Sequence, residues 1–135
     1  GRGATMNGEP IKVSGTTDIR RAYLEFGWST RIPNEDYLAT VGRGFSAGAS
    51  VKRSGSGALG LCHVAIGRTE AYAELHINAW DVAAGLVIAA EAGADINDFF
   101  AGDAIKAGNP VLCCTPELTA ELERITGIMS RHKDR

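Results

Sequence analysis

The chain has 135 residues, of which 44 % are apolar and 22 % are charged, and its formal net charge is −2. That length fits one domain or part of a larger one, and the composition is ordinary for a globular protein. The small negative charge gives no electrostatic basis for binding nucleic acid or an anionic membrane. No apolar run approaches the roughly 20 residues that span a bilayer.

The chain begins with glycine rather than an initiator methionine, and no charged-then-apolar leader follows it. We therefore expect an internal start. The three cysteines are Cys62, Cys113 and Cys114, an odd number without metal-type spacing. We expect them to be reduced core residues of a cytoplasmic protein.

The first element in chain order is a predicted hairpin over residues 3–13. Asn7-Gly8 lies there between two short strand-like runs, and both residues tolerate positive φ. A two-stranded hairpin is not stable alone in water, so it must join a sheet. Since nothing in the sequence precedes it, we expect that sheet to lie in a missing N-terminal portion.

Strand and helix patterns then alternate to the end of the chain. The predicted strands are 21–27, 50–53, 71–75, 94–99 and 110–114. The predicted helices are 33–47, 56–66, 80–93 and a last one from the N-cap Thr115 and Pro116 to Gly127. This alternation indicates an α/β layered domain with helices on both faces of a sheet.

Apolar spacing predicts which face of each helix is buried. The predicted inward residues are Tyr37, Leu38, Val41 and Phe45, then Leu59, Cys62 and Ile66, then Leu118, Leu122 and Ile125. Helix 80–93 is apolar almost all round, so we expect it to be buried between layers. The charged tail 130–135 is expected to fray.

A glycine-rich segment, Gly55-Ser56-Gly57, stands between a predicted strand and a predicted helix. The first N–H groups of a helix lack intrahelical partners and glycine lets a phosphate approach closely, so the segment could bind an anion. The residues alone favour the plainer interpretation of a turn or flexible linker.

Two carboxylates are candidates for chemistry. Asp81 opens a helix, where an aspartate is most often an N-cap but can also hold a hard cation such as Mg²⁺. Glu74 is placed at the end of a predicted strand, where it is either solvated or able to accept hydrogen bonds from a polyol. His63 and His76 have no partner spacing, so we expect them to be structural or exposed.

The order of these features resembles the inositol monophosphatase family. Residues 80–93 read WDVAAGLVIAAEAG and resemble the family signature W-D-x-A-A-G-x-x-[IL]-x-x-E-A-G. Residues 55–59, GSGAL, resemble the phosphate loop G-[ST]-A-A-[LV], with Gly57 where alanine is usual. The opening residues 3–8 resemble the hairpin G-A-x-x-N-G, so the resemblance covers essentially the whole chain.

The resemblance implies roles for single residues. Asp81 would be a ligand of a magnesium ion and would also contact the substrate. Gly55, Ser56 and Gly57 would face the substrate with their backbone, and Glu74 would hydrogen-bond a ring hydroxyl. The fold implied is the C-terminal half of a layered α-β sandwich, with a mixed sheet and helices on both faces.

The family's other signature, D-P-[LI]-D-G-[TS], does not occur in these 135 residues. The resemblance therefore implies part of a Mg²⁺-dependent phosphomonoesterase, inactive alone, that acts on inositol monophosphate or a similar small sugar or polyol phosphate. Related phosphatases that act on histidinol phosphate, fructose bisphosphate or adenosine bisphosphate share the same signature. The resemblance therefore does not decide which substrate this chain would bind. The alternative is a non-catalytic, truncated binding or regulatory module.

The same resemblance sets the expected organisation. Residues 1–20 would be a hairpin of the missing N-terminal domain's sheet, 21–129 the C-terminal α/β domain and 130–135 a tail. The expected partners are the missing N-terminal half, a small phosphorylated substrate and a second copy in a homodimer, with neither nucleic acid nor membrane.

Overall fold

The structure is a computed structural model that describes residues 1–131. Its strands are β1 (Thr5–Met6), β2 (Glu9–Pro10), β3 (Tyr23–Gly27), β4 (Ser50–Lys52), β5 (Ala71–Ile77), β6 (Asp95–Ile96) and β7 (Asn109–Cys114). Its α-helices are α1 (Asn34–Ser46), α2 (Gly57–Ala65), α3 (Ala79–Glu91), α4 (Ala104–Ala107) and α5 (Thr119–Thr126). Short 3₁₀ turns at Ile19–Arg21 and Pro116–Leu118 precede β3 and α5.

Five of the strands form one mixed sheet in the order β4-β3-β5-β7-β6. Strand β3 pairs in parallel with both β4 and β5, whereas β7 pairs antiparallel with β5 and β6. Residues on the two faces of the sheet belong to two core clusters. One cluster packs against α2 and α3, and the other against α5 and the inner side of α1. The predicted mixed sheet with helices on both faces is therefore confirmed.

The hairpin forms as predicted. Asn7 and Gly8 adopt φ values of 53° and 82° in the turn between β1 and β2. The segment that follows packs on the α2–α3 side of the sheet, where the Val13 N–H donates to the Ala92 carbonyl at 3.0 Å. The prediction succeeds because the turn requires two consecutive positive φ values, which Asn-Gly adopts more readily than most dipeptides.

The predicted inward faces of α1 and α2 are wrong in part. Leu38, Phe45 and Leu59 are exposed, while Gly44 and Gly60 lie on the buried sides of their helices. A methyl group on Gly60 would collide with the Tyr72 ring, and one on Gly44 would crowd Val51. Both helices therefore contact the sheet at a glycine, and the positions of their large apolar residues do not predict where that contact lies.

Helix α3 packs on the sheet with one side among the described residues, and its expected position between layers stays a prediction. Val82, Leu86 and Ala89 face the core, but Trp80 and Val87 are 72 % and 63 % exposed. An all-round apolar sequence is the pattern expected of a helix that is covered on both sides.

Other boundaries differ in detail. The predicted strand 94–99 reduces to Asp95–Ile96, and the short helix α4 was not expected. The last helix buries Leu118, Leu122 and Ile125 and ends at Gly127 with φ 73°, as predicted. The Thr115 hydroxyl does not cap that helix, because it donates to the Ser14 carbonyl instead.

The C-terminal tail is only partly described. Ser130 is buried, bridges to Asn97 and donates to the Glu123 carboxylate, so the expected fraying is wrong for this residue. The rest of the predicted tail beyond Arg131 lies outside the described residues. Among residues 1–131, every helix falls short of the length and apolar character needed to cross a bilayer.

Candidate active site

The carboxyl ends of the parallel strands β3, β4 and β5 meet at one edge of the sheet, and a cleft of about 360 Å³ opens there. Ligands of open α/β sheets characteristically bind at such an edge. Helix α2 begins shortly after β4 and helix α3 directly after β5, so two helix N-termini lie near the cleft. The lining residues used below are Trp28, Arg31, Arg53, Glu74, His76 and Asp81.

The glycine segment forms the start of α2. Ser56 is the N-cap, and its hydroxyl accepts a hydrogen bond from the Leu59 N–H at 3.1 Å. Gly55 adopts φ 84°, a conformation that favours glycine. The segment is therefore an ordered cap rather than a flexible linker, and Gly57 and Ala58 open the helix with N–H groups that have no intrahelical acceptor.

Gly57 replaces the alanine usual in the family loop, and its surroundings explain the change. A methyl group at this position would collide with the end of the Ile77 side chain and crowd the Tyr72 hydroxyl. The loop thus lies directly against β5, where Ile77 borders the cleft.

The buried carboxylate of Glu25 on β3 accepts the hydrogen bonds that fix the start of this loop. Only 1 % of Glu25 is exposed, and it accepts hydrogen bonds from the Ser54 backbone N–H at 3.1 Å and from the Ser54 hydroxyl. Lys52 Nζ and His63 Nδ1 lie 3.6 Å and 3.5 Å from Glu25 Oε2. Neither forms a hydrogen bond with it, so Oε2 is buried without a hydrogen-bond partner in the described part of the chain.

Sequence reasoning assigned no role to Glu25 and left His63 as structural or exposed. The structure gives His63 a position 3.5 Å from a buried charge. The strand alternation Leu24-Glu25-Phe26 would ordinarily place a glutamate in solvent. Here helices cover both faces of the sheet, so both sets of side chains are buried.

Glu74 lies within β5 rather than at its end, and it is half-buried. The Tyr72 hydroxyl donates to Glu74 Oε2 at 2.6 Å. Burial raises the pKa of Glu74, and the nearby Asp81 charge raises it further, while Tyr72, His76 and Arg53 act in the opposite direction. Burial also raises the pKa of Tyr72, and the hydrogen bond to Glu74 adds to the shift, so the tyrosine stays protonated as a donor.

Asp81 is exposed in the first turn of α3 and does not cap it. Asn78 is the N-cap residue, and no side-chain hydrogen bond caps this helix. The simple N-cap interpretation of Asp81 is therefore wrong. Its carboxylate faces the cleft together with Glu74, which is the arrangement that a ligand-binding role requires.

Sequence reasoning missed the cleft residues Trp28, Arg31 and Arg53, and it expected His76, which also lines the cleft, to be structural or exposed. The Arg53 guanidinium lies over the Trp28 ring, 5.4 Å from its centroid. Arg31 Nη1 donates to Asn78 Oδ1 at 2.7 Å and lies 3.2 Å from His76 Nδ1. These residues share one feature, which is a position just beyond the end of a parallel strand or at that end. This feature identifies a site only when the order of the strands in the sheet is known.

The described residues do not by themselves form a magnesium site. Within residues 1–131 no group of three or more His, Cys, Asp or Glu side chains could hold a metal ion. Mg²⁺ accepts one or two protein carboxylates when other oxygen ligands are available, and Asp81 could supply one of them.

The family is established by comparison with known proteins. A model of the inositol monophosphatase family matches residues 1–131, and the chain therefore belongs to this family. The family predicted from the sequence resemblance is confirmed.

The relatives found by these comparisons are SuhB proteins and inositol monophosphatases. The chain is 36 % identical over 128 residues to the Nus factor SuhB of Vibrio cholerae, covering 93 % of this chain and 48 % of that protein. It also resembles the solved inositol monophosphatase from Anabaena, with a TM-score of 0.81 and 34 % identity over 93 % of this chain and 50 % of that one. The Mycobacterium tuberculosis SuhB structure gives a TM-score of 0.73 at 32 % identity, over 88 % of this chain and 46 % of that one. The chain spans about half the length of the curated relatives it matches.

Proposed function

We propose that this chain is part of a magnesium-dependent phosphomonoesterase that acts on inositol monophosphate or a similar small sugar or polyol phosphate. The observation that carries the proposal is the cleft at the carboxyl ends of β3, β4 and β5. Glu74 and Asp81 line it, Tyr72 donates a hydrogen bond to Glu74, and Gly57 at the start of α2 lies against Ile77, another lining residue. Family membership supports phosphatase chemistry.

Each residue has a role that its surroundings support. Free N–H groups at the start of α2 would bind the phosphate oxygens of the substrate, helped by the helix dipole. Glu74, oriented by Tyr72, would accept a hydrogen bond from a substrate hydroxyl. Asp81 would hold a magnesium ion, which when bound supplies charge neutralisation at the phosphate.

The proposed activity belongs to a protein longer than these 135 residues. The curated relatives are about twice as long, and the motif D-P-x-D-G-T does not occur here. We propose that the remainder supplies the other metal ligands and the sheet that the 1–20 hairpin joins. The chain alone would then be inactive, and the full protein would act in the cytoplasm, where thiols such as Cys113 stay reduced.

The test is Asp81→Asn in a protein that carries the D-P-x-D-G-T segment together with this chain. Because Asp81 is exposed and caps nothing, the variant should unfold at the same urea concentration as the wild type. Magnesium-dependent release of phosphate from inositol monophosphate should fall at least about 100-fold, as is common for catalytic electrostatic groups. The matched control is Asp103→Asn, an exposed aspartate at the start of α4 that lies outside the cleft. Equal activities of the two variants would refute the role of Asp81.

A non-catalytic binding or regulatory module is the second candidate, and the relatives named Nus factor SuhB favour it. In that case the protein would bind a protein partner and release no phosphate from any substrate, with or without Mg²⁺. Self-association into a homodimer is compatible with both candidates. Light scattering of the purified protein would give twice the monomer mass if the homodimer forms.

A further inference from the structure

Two buried polar atoms face each other across the contact between β3 and α2. Glu25 Oε2 and His63 Nδ1 lie 3.5 Å apart, and within residues 1–131 neither atom has a hydrogen-bond partner. Only 1 % of the Glu25 side chain and 14 % of the His63 side chain are exposed. Buried polar atoms are almost always hydrogen-bonded, so two unpaired atoms that face each other require a physical explanation.

A proton on His63 Nδ1 satisfies both atoms. In a neutral imidazole only one of the two ring nitrogens carries a proton, and an unprotonated Nδ1 would direct its lone pair at the carboxylate. In the charged imidazole both nitrogens are donors, so Nδ1 always donates towards Glu25 Oε2. A bond between an imidazolium and a carboxylate measures about 2.7–2.9 Å, so a small approach of the two side chains completes it.

The other charged and titratable groups around this pair come from three further elements. Lys52 on β4 is the second cation at this carboxylate, with Nζ 3.6 Å from Glu25 Oε2. Tyr72 on β5 feels the Glu25 charge but stays neutral, because burial raises its pKa. Arg68, which follows α2, lines the pocket that His63 also borders. Among these side-chain types only histidine ordinarily changes its charge between pH 5 and 8.

The other carboxylate oxygen of Glu25 connects the pair to the glycine loop. Oε1 accepts hydrogen bonds from the Ser54 N–H, at 3.1 Å, and from the Ser54 hydroxyl. The Ser56 N–H donates to the same hydroxyl oxygen at 3.3 Å. Ser56 in turn caps α2 by accepting from the Leu59 N–H. A fixed Glu25 carboxylate therefore fixes Ser54, and with it the N–H groups with which α2 begins.

The charge of Glu25 also acts on an anion at the start of α2. A buried carboxylate beside the loop repels such an anion, and the repulsion is poorly screened because the carboxylate is buried. A charged His63 neutralises Glu25 by direct contact, and it belongs to α2 itself. Fixing of the loop and neutralisation of the charge therefore both favour anion binding when His63 is protonated.

We propose that Glu25 and His63 are positioning residues for the phosphate group of the substrate, and that proton uptake by His63 strengthens phosphate binding at the glycine loop. The proposal rests on the phosphomonoesterase function proposed above and adds a pH-dependent control of the same site. Neither residue lines the cleft, so both act through Ser54 and through the charge beside the loop.

The first test compares pH profiles of kcat/KM for inositol monophosphate at saturating Mg²⁺, between pH 8 and pH 6. It uses the protein that carries the D-P-x-D-G-T segment together with this chain, as wild type, His63→Leu and His63→Gln. The wild-type value is divided by the variant value at each pH. This ratio cancels the titration of the substrate phosphate and of Glu74 and His76, which line the cleft in every variant.

We expect the ratio of wild type to either His63 variant to rise about fivefold or more from pH 8 to pH 6, as is typical of coupling between two binding events. The matched control is Cys62→Ala, which changes the adjacent half-buried residue of α2 in the same pocket. Its ratio should stay constant, because Cys62 makes none of the contacts to Glu25 described above. A ratio for the His63 variants that stays constant or falls on acidification would overturn the proposal.

A titration followed by NMR gives a readout that does not depend on activity. Backbone amide signals of Gly55, Ser56 and Gly57 are recorded from pH 8 to pH 6, with and without sulfate, whose charge is constant over this range. In the wild type these signals should follow the titration of the His63 ring. The gain in sulfate affinity on acidification should be about fivefold larger in the wild type than in His63→Leu. Ser54→Ala should weaken the response of the loop signals while the His63 ring still titrates.

The two measurements separate this inference from the phosphatase proposal. Loop signals that follow His63, with tighter sulfate binding but no phosphate release, would refute the phosphatase function and keep the control by His63. Phosphate release with a constant kinetic ratio, and with loop signals that do not follow His63, would refute this control and keep the phosphatase function.

Discussion

Replacement of Glu25 by alanine tests whether a buried charge organises the candidate active site. The side chain accepts two hydrogen bonds from Ser54, the residue that leads into the glycine loop. Its carboxylate is also the nearest negative charge to Lys52 Nζ and His63 Nδ1. The alanine variant therefore frees the loop and leaves two potentially cationic groups beside an apolar space.

The expected destabilisation follows from these contacts. Hydrogen bonds to a charged group contribute about 1.5–3 kcal/mol each, whereas the pair with Lys52 contributes little because Lys52 is partly exposed. Removing the buried carboxylate also removes its desolvation penalty, which offsets part of the loss. We therefore expect Glu25→Ala to lower the free energy of unfolding by about 2–4 kcal/mol.

Urea unfolding followed by tryptophan fluorescence measures this difference. Glu25→Gln keeps an acceptor oxygen for Ser54 but not the charge, so it should lose less than Glu25→Ala. The control is Glu35→Ala, because Glu35 is exposed on α1 and should change stability by less than about 0.5 kcal/mol. A loss of under about 0.5 kcal/mol in Glu25→Ala would refute the reasoning, because the buried contacts would then contribute nothing.

Two further predictions follow from the pKa shifts. Because burial raises the pKa of Glu74, the native state binds its proton more tightly than the unfolded chain. The stabilisation from Glu74 is then complete below the unfolded pKa and is lost as the pH rises through the folded pKa. Urea titrations should show Glu74→Gln at least as stable as the wild type at pH 7, with the difference vanishing towards pH 4. A difference that grows on acidification would contradict this. Burial raises the pKa of the Cys114 thiol to about 12 and that of the Cys113 thiol well above its usual value, while Cys62 is half-buried. A thiol reagent should therefore modify Cys62 first and the other two only on unfolding, and three equal rates would contradict it.

Local sequence patterns predicted the elements well where a single residue type determines the backbone. Asn7-Gly8 takes the positive φ values of the hairpin turn, and Gly127 ends α5 in the left-handed conformation. Alternating strand and helix patterns predicted the layered α/β domain because each pattern reflects burial along one element, whereas the mixed sheet was implied by the family resemblance. The long match over residues 80–93 predicted the family without any knowledge of contacts.

The same patterns did not predict how helices meet the sheet. Apolar spacing placed Leu38, Phe45 and Leu59 inside, whereas the closest approaches are made by Gly44 and Gly60. Hydrophobicity measures transfer from water, but close approach depends on the absence of a side chain. Glycine in a helix therefore has to be interpreted against a partner surface, which only the folded chain supplies.

The sequence by itself determined the family, the alternation of elements and the candidates Asp81, Glu74 and the glycine loop. Only the tertiary structure placed Arg31 and Arg53 beside those carboxylates and buried Glu25 beneath the loop. The physical reason is strand order. Parallel pairing of β3 with β4 and β5 brings together strand ends that are far apart in sequence, and no local pattern encodes which ends will meet.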